Sequence, residues 1–98
     1  MSNQFGNKIR QLREKNNLLL RQVAPVIDID TPQLSKIERG ERQARKEVIP
    51  TLAKLLKADE NELLTLWLAD QLFEMVHEEP TSVESLKLTL KRLKSDDK

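Results

Sequence analysis

The stretch Asp30–Arg42, with the sequence DTPQLSKIERGER, decides the fold of this chain. It predicts one short helix, because Asp30 is a good N-cap residue and Gly40 is a typical residue at which a helix ends. Pro32 falls in the first turn, where its missing N–H leaves no hydrogen bond unmade and its fixed φ stiffens the entry. The helix therefore has a defined beginning and a defined end.

The two sides of this helix differ in chemistry. Leu34 and Ile37 lie three residues apart and predict a face that is anchored in a core. We expect Thr31, Gln33 and Lys36 to share the opposite, outward face. A polar helix held by two apolar residues is what the second helix of a helix-turn-helix requires, since that helix offers side chains to the major groove of DNA.

Helical spacing of apolar residues extends over nearly the whole chain, and no segment alternates with a period of two. The sequence predicts an all-α protein with five helices to about residue 78 and a sixth after Pro80. Capping boxes are expected to open the last two helices, at Asp59 with Glu62 and at Thr81 with Glu84. The apolar positions that define the other helices are Phe5, Ile9 and Leu12 in the first (about residues 3–15), Val23, Ala24 and Ile27 in the second, and Ile49, Leu52, Ala53 and Leu56 in the fourth.

Length and composition narrow the class of protein. The 98 residues favour a single domain. The absence of cysteine excludes disulfides, thiolate nucleophiles and cysteine-ligated metals. There is no apolar leader at the start and no run approaching the ~18 apolar residues of a membrane span, which predicts a cytoplasmic protein without membrane contact.

The near-neutral net charge conceals an asymmetry along the chain. Residues 1–57 hold 12 Lys/Arg and 6 Asp/Glu, whereas residues 58–98 hold 5 Lys/Arg and 10 Asp/Glu. A basic region suits a polyanionic partner, because Lys and Arg on a phosphate backbone release counterions. The alternative is a solvated surface with uneven charge.

Features of an enzyme or a metal site are scarce in this sequence. His77 is the only histidine, and although Glu74 and Glu78 are close to it, one imidazole on a charged helix favours a solvated residue. Only two glycines occur, so there is no glycine-rich phosphate loop, and no Ser/His/Asp arrangement is apparent. The sequence therefore predicts no enzyme, no metal site and no cofactor.

Residues 5 to about 66 resemble the Cro and phage-repressor type of helix-turn-helix family, also called the xenobiotic-response-element family. The resemblance rests on IRQLREKNNL, QVAPVIDIDTPQLSKIERGER and LAKLLKADENELL, and the segment LSKIERGER is its most specific part. It implies a bundle of five short helices that binds double-stranded DNA, usually as a homodimer, and regulates transcription. We accordingly assign residues 1–66 to a DNA-binding domain and residues 67–98 to a C-terminal extension.

The resemblance also implies an ion pair between Arg13, late in the first helix, and Glu38, near the end of the third. Such a pair rarely adds net stability, yet removal of one partner is strongly destabilising when the pair is buried. The alternative is that both residues are ordinary surface charges.

Base contacts are expected from the front of the third helix, whose N-terminal end points into the groove. Gln33 suits adenine, Lys36 suits guanine O6 or N7, and Thr31 can donate a hydrogen bond or place its methyl group on thymine. Pro32 either contacts a thymine methyl group or holds its neighbours in place. Two alternatives remain open: the Gln33 amide turns back to Asp30 in a capping box, or Lys36 is only solvated.

Phosphate contacts are expected from a second set of cations. The resemblance implies them for Arg42, Arg45 and Lys46, which follow the third helix. Arg21 lies at the N-terminal end of the second helix, where free backbone amides and the helix dipole favour an anion. The alternative for the loop residues is a basic segment that serves solubility alone.

The second helix departs from the family pattern. Leu19 and Leu20 stand where the family usually has a capping Thr and a DNA-contacting Gln, so that contact is lost or moved to Arg21 or Gln22. Pro25 lies inside this helix and is expected to kink or shorten it. The turn residue is Asp28 where Gly is frequent, and Asp tolerates that conformation better than most residues.

The C-terminal extension carries an apolar stripe with three interpretations. The stripe can pair across a two-fold axis, fold back on its own domain, or bind a partner protein as in an antitoxin; we favour dimerisation. Acidic residues at Asp59–Glu62 either contact RNA polymerase or only complement the dipole of their helix. The stripe consists of Val83, Leu86, Leu90 and Leu93.

Overall fold

The computed structural model describes residues 3–96, and every regular element within that range is helical. The all-α prediction is therefore confirmed. Two 3₁₀ turns, Ala24–Ile27 and Lys46–Val48, directly follow the second helix and directly precede the fourth. The six α-helices are α1 (Gln4–Lys15), α2 (Leu20–Val23), α3 (Thr31–Glu38), α4 (Ile49–Leu56), α5 (Glu60–Val76) and α6 (Ser82–Asp96).

The break in the second helix follows from its proline. Pro25 has no backbone N–H to donate, and α2 ends at Val23, after which the chain continues as a 3₁₀ turn. Asp28 then adopts a left-handed conformation with φ of +59° and reverses the chain toward α3. The predictions that Pro25 shortens this helix and that Asp28 serves as the turn residue are confirmed.

The buried apolar side chains of α1 to α4 and of the first part of α5 form one core, and α1 packs against α3, α4 and α5. The approach of α1 to α3 is close at Gly6, where a Cβ atom would lie 2.7 Å from the carbonyl oxygen of Glu38 and against that of Ile37. Asn16 joins α1 to α4 by donating from Nδ2 to the Leu56 carbonyl oxygen at 3.0 Å. The largest side chains of the core that are fully buried are Ile9, Val23, Leu34, Ile49, Leu52, Leu56 and Leu63.

The entry to α5 differs from its prediction. Asp59 is the N-cap residue, but its side chain makes no capping hydrogen bond. The Glu62 carboxylate instead lies 3.5 Å from Nζ of Lys8 in α1. The prediction of a capping box at these two residues is therefore wrong, because the Glu62 carboxylate forms an ion pair with another helix.

The second half of α5 remains attached to the elements that precede it in the chain. Its Asp70 carboxylate accepts hydrogen bonds from the backbone N–H groups of Gln4 (3.1 Å) and Phe5 (2.9 Å), and so caps the start of α1. Trp67 also contacts the loop after α3. The division of the chain at residue 66 stays a prediction, since these contacts extend beyond it.

The last helix stands apart from the core. After the turn that contains Pro80, α6 buries none of its residues, and each member of the predicted stripe is exposed. Within the part of the chain that the structure describes, no helix is long and apolar enough to cross a membrane.

Candidate nucleic-acid interface

The segment from α2 to α3 forms two short helices joined by a tight turn. Val23 in α2 and Leu34 and Ile37 in α3 are buried, so both helices are anchored from the inside. On the outer side of α3, Pro32, Lys36 and Arg39 are exposed to solvent. This is the arrangement that a helix-turn-helix needs to insert its second helix into the major groove.

The outward line of α3 differs from the expected one. Successive residues of an α-helix are about 100° apart, so Thr31 and Gln33 point in directions about 200° apart. The expectation that these two share one face with Lys36 is wrong. The exposed line consists of Pro32, Lys36 and Arg39, whereas Thr31 and Gln33 are half-buried at its two sides.

The N-terminus of α3 is held by its cap. Asp30 Oδ1 accepts the backbone N–H of Gln33 at 2.9 Å, and Pro32 occupies the first turn. Among the described residues, no hydrogen bond returns the Gln33 side chain to the Asp30 backbone, so only one arm of the capping box is formed. The Gln33 amide instead lines a surface recess of about 270 Å³ together with Arg42 and Arg45.

The loop that follows α3 carries exposed cations on an anchored backbone. Gly40 ends the helix with φ of +77°, a left-handed conformation that suits glycine. Ala44 is buried, and its carbonyl oxygen accepts a hydrogen bond from Trp67 Nε1 of α5 at 2.8 Å. Arg42, Arg45 and Lys46 are exposed around this anchor.

The start of α2 is closed by a glutamine. Gln22 Oε1 accepts the backbone N–H of Leu19 at 2.7 Å and so satisfies the amide of the N-cap residue. This hydrogen bond uses the oxygen of the Gln22 amide within the protein. Arg21 is exposed next to it and carries the only positive charge of α2.

The structure brings together Arg13 and Glu38, the two residues expected to pair. Arg13 donates from Nε to Glu38 Oε2 at 2.7 Å and from Nη2 to Oε1 at 3.0 Å, and from Nη1 to the Leu18 carbonyl oxygen at 3.0 Å. Glu38 is only 5% exposed. The hydrogen bond to Glu38 raises the pKa of the Arg13 guanidinium, against the opposing effect of burial. The pair therefore fixes the inner side of α3 to α1.

The predictions from the sequence did not include two residues that contribute to this surface. Arg39 continues the exposed line of α3, and its Nη2 atom lies 3.4 Å from Glu41 Oε1. Its spacing of three residues from Lys36 was a sufficient signal. Trp67 supports the basic loop from α5, and nothing local to its sequence indicates this contact.

The surroundings of His77 are apolar on one side and acidic on the other. Its ring stacks on Phe73 with a centroid distance of 5.0 Å, and its Nε2 atom lies 3.7 Å from Glu78 Oε2. In residues 3–96 there is no group of three or more His, Cys, Asp or Glu side chains that could hold a metal ion.

Comparison with models of known protein families identifies a domain. A family model described as a helix-turn-helix domain matches residues 4–66, which contain α1 to α4 and the first part of α5. The chain matches no curated protein and no solved structure.

Proposed function

Because that match covers well over half of its length, the chain belongs to the helix-turn-helix domain family, and we propose that it is a sequence-specific DNA-binding regulator of transcription. The proposal includes action as a homodimer on an inverted-repeat operator, as a repressor or a restriction-modification-type controller. The observation that carries it is α3 itself, which is anchored by Leu34 and Ile37 and presents Lys36 to solvent beside an exposed basic loop.

We propose Thr31, Pro32, Gln33 and Lys36 as the residues that contact bases. Lys36 is central to the exposed line of α3 and suits guanine O6 or N7. Pro32 precedes it on that line and suits the methyl group of thymine. Thr31 and Gln33 lie on the two sides of that line, next to the groove. The free Gln33 amide suits adenine.

Arg21, Arg42, Arg45 and Lys46 are proposed to contact phosphates. All four side chains are exposed, and none of them makes an ion pair with another described residue. Arg42 and Arg45 line the same recess as Gln33, which supports a phosphate next to the base-reading surface. Such contacts fix the register of α3 on the duplex without reading its sequence.

The geometry of operators supports the proposed homodimer. Two recognition helices on one face of DNA are separated by one turn of the duplex, ~34 Å, and a two-fold axis produces that separation. The exposed apolar stripe of α6, with Val83, Leu86, Leu90 and Leu93, supports a dimerisation role for this helix. A dimer bound across a promoter excludes RNA polymerase, which is the simplest route to repression.

Selection of bound DNA from a random pool tests this function. We expect an inverted repeat with half-sites about one turn apart. Lys36→Gln should change the selected bases, whereas Lys54→Gln removes the same charge from an exposed site on α4 and should leave the selected bases unchanged. Failure to recover any preferred sequence at low salt would overturn the proposal.

A further inference from the structure

The second half of α5 exposes a line of apolar side chains. Leu68, Leu72 and Met75 recur with spacings of four and three residues and are 50%, 41% and 74% exposed. Trp67 and Asp70 of the same helix point to the domain instead, where they make hydrogen bonds. The three exposed residues therefore form an outward face of α5, which we call the α5 stripe.

The exposed residues of α6 show matching periodicity. Val83, Leu86, Leu90 and Leu93 follow spacings of three, four and three residues, and we call this set the α6 stripe. Both stripes have the a/d spacing of helices that pack lengthwise against another helix. Within a single chain, both are exposed to water, although only a short turn separates the two helices.

The two helices carry opposite charge. Helix α5 contains four Asp/Glu and no Lys/Arg, whereas residues 87–94 of α6 contain four Lys/Arg and no Asp/Glu. Lys87, Lys91 and Lys94 follow one edge of the α6 stripe, since they lie one residue beyond its leucines. Two α6 helices packed side by side bring these like charges together, but α6 packed on α5 brings them to an acidic helix.

We infer that α6 of one protomer packs on the α5 stripe of a second copy of this chain, while the second copy's α6 packs on the first copy's α5. The inference deepens the proposed function, on whose homodimer it rests. A two-fold axis repeats the contact, so each protomer buries three apolar residues of α5 and four of α6. Pairing of the two α6 helices alone leaves the α5 stripe in water.

This exchange of helices sets the spacing of the recognition helices. Asp70 holds α5 to the start of α1, and α1 packs against α3. A partner helix seated on α5 is therefore positioned relative to the DNA-reading surface of the same protomer. The half-site spacing of the operator then depends on the α5–α6 contact.

Disulfide trapping tests the exchange, because the native chain contains no cysteine. Leu72→Cys protein is mixed with Leu86→Cys protein or with Leu90→Cys protein, so that a shift in register of one turn is covered, and each mixture is oxidised without DNA. We expect disulfide-linked dimers that contain one chain of each variant. Leu88→Cys is the matched control: it is an exposed leucine of the same helix on the opposite face, and it should not cross-link to Leu72→Cys.

Three results would overturn the exchange. Efficient cross-linking of Leu90→Cys protein to itself indicates paired α6 helices. A disulfide within one chain of a Leu72→Cys/Leu90→Cys double variant indicates that α6 folds back. A monomer in sedimentation equilibrium with no cross-link indicates that the stripes serve another protein. The DNA selection distinguishes failure of the exchange from failure of the proposed function. If the mixed cross-links form but no DNA sequence is selected, only the proposed function is contradicted. If an inverted repeat is selected but no mixed cross-links form, only the exchange is contradicted.

Discussion

At the scale of single residues, the Arg13–Glu38 pair should govern stability without contacting DNA. Glu38→Ala leaves the Arg13 guanidinium, whose Nε lies 2.7 Å from the lost carboxylate, without its main partner in a largely buried position. Loss of one member of such a pair destabilises by about 3 kcal/mol. Urea unfolding of the variant and of the native chain measures this difference in the free energy of unfolding.

The chain offers a matched control for this substitution. Glu41 also pairs with an arginine, Arg39, at 3.4 Å, but both side chains are about half exposed. Exposed pairs contribute roughly 1 kcal/mol or less, so Glu41→Ala should change the free energy of unfolding by no more than that. Equal and small effects of the two substitutions would contradict the structural role of Glu38.

Residue-scale predictions from the sequence succeeded where they rested on local backbone chemistry. Pro25 acts through its missing N–H, Asp28 through its left-handed φ angle, and Asp30 through its short carboxylate. Each of these properties belongs to the residue type and can be read from the sequence. The predicted orientation of Thr31 and Gln33 was wrong, because residues two positions apart in a helix point in nearly opposite directions. The helical repeat alone corrects that error.

At the scale of elements, the number and order of helices could be predicted because apolar spacing marks each one. The contacts between these elements could not be predicted from the sequence. Trp67 donates a hydrogen bond to a carbonyl group 23 residues earlier, and Asp70 caps a helix that begins 66 residues before it. Glu62 likewise forms an ion pair with Lys8 of α1 and does not cap the start of its own helix. Each of these contacts depends on how α5 crosses the domain, which no local pattern encodes.

The contact between α5 and the basic loop should affect DNA affinity. Trp67→Phe removes the indole N–H that binds the Ala44 carbonyl oxygen, and it thereby loosens the backbone that carries Arg42 and Arg45. A hydrogen bond of this kind contributes about 1 kcal/mol, so the cost of ordering the loosened loop on DNA lowers operator affinity by up to about fivefold. We expect that loss in a binding titration at fixed salt, with the selected DNA sequence unchanged because α3 is unaltered.

A control on the same helix separates this effect from a general weakening of α5. Thr65→Val also removes a donor, but the hydroxyl group of Thr65 donates to the Asn61 carbonyl oxygen one turn earlier in the same helix. Its operator affinity should equal that of the native chain. A loss as large as that of Trp67→Phe would show that the loop contact is not the cause.

At the scale of the whole molecule, the charge asymmetry of the sequence coincides with a division of labour. The basic residues 1–57 contain α1 to α4 and the candidate DNA surface, and the acidic residues that follow contain α5 and the exposed α6. Helix α5, which contains four Asp/Glu and no Lys/Arg, is repelled by the phosphates. The positive potential around α3 and its loop therefore favours one orientation of each protomer on the duplex.

This polarity predicts how salt affects operator binding. Each phosphate that a cation neutralises adds about −0.9 to the slope of log affinity against log salt concentration. Arg45→Gln should make that slope less steep by about one unit per protomer, and by about two for a dimer that occupies both half-sites. Binding titrations over a range of salt concentrations measure the slope. Lys54→Gln removes an exposed charge from α4 and should leave the slope unchanged; an equal decrease would assign the salt dependence to net charge and not to a phosphate contact at Arg45.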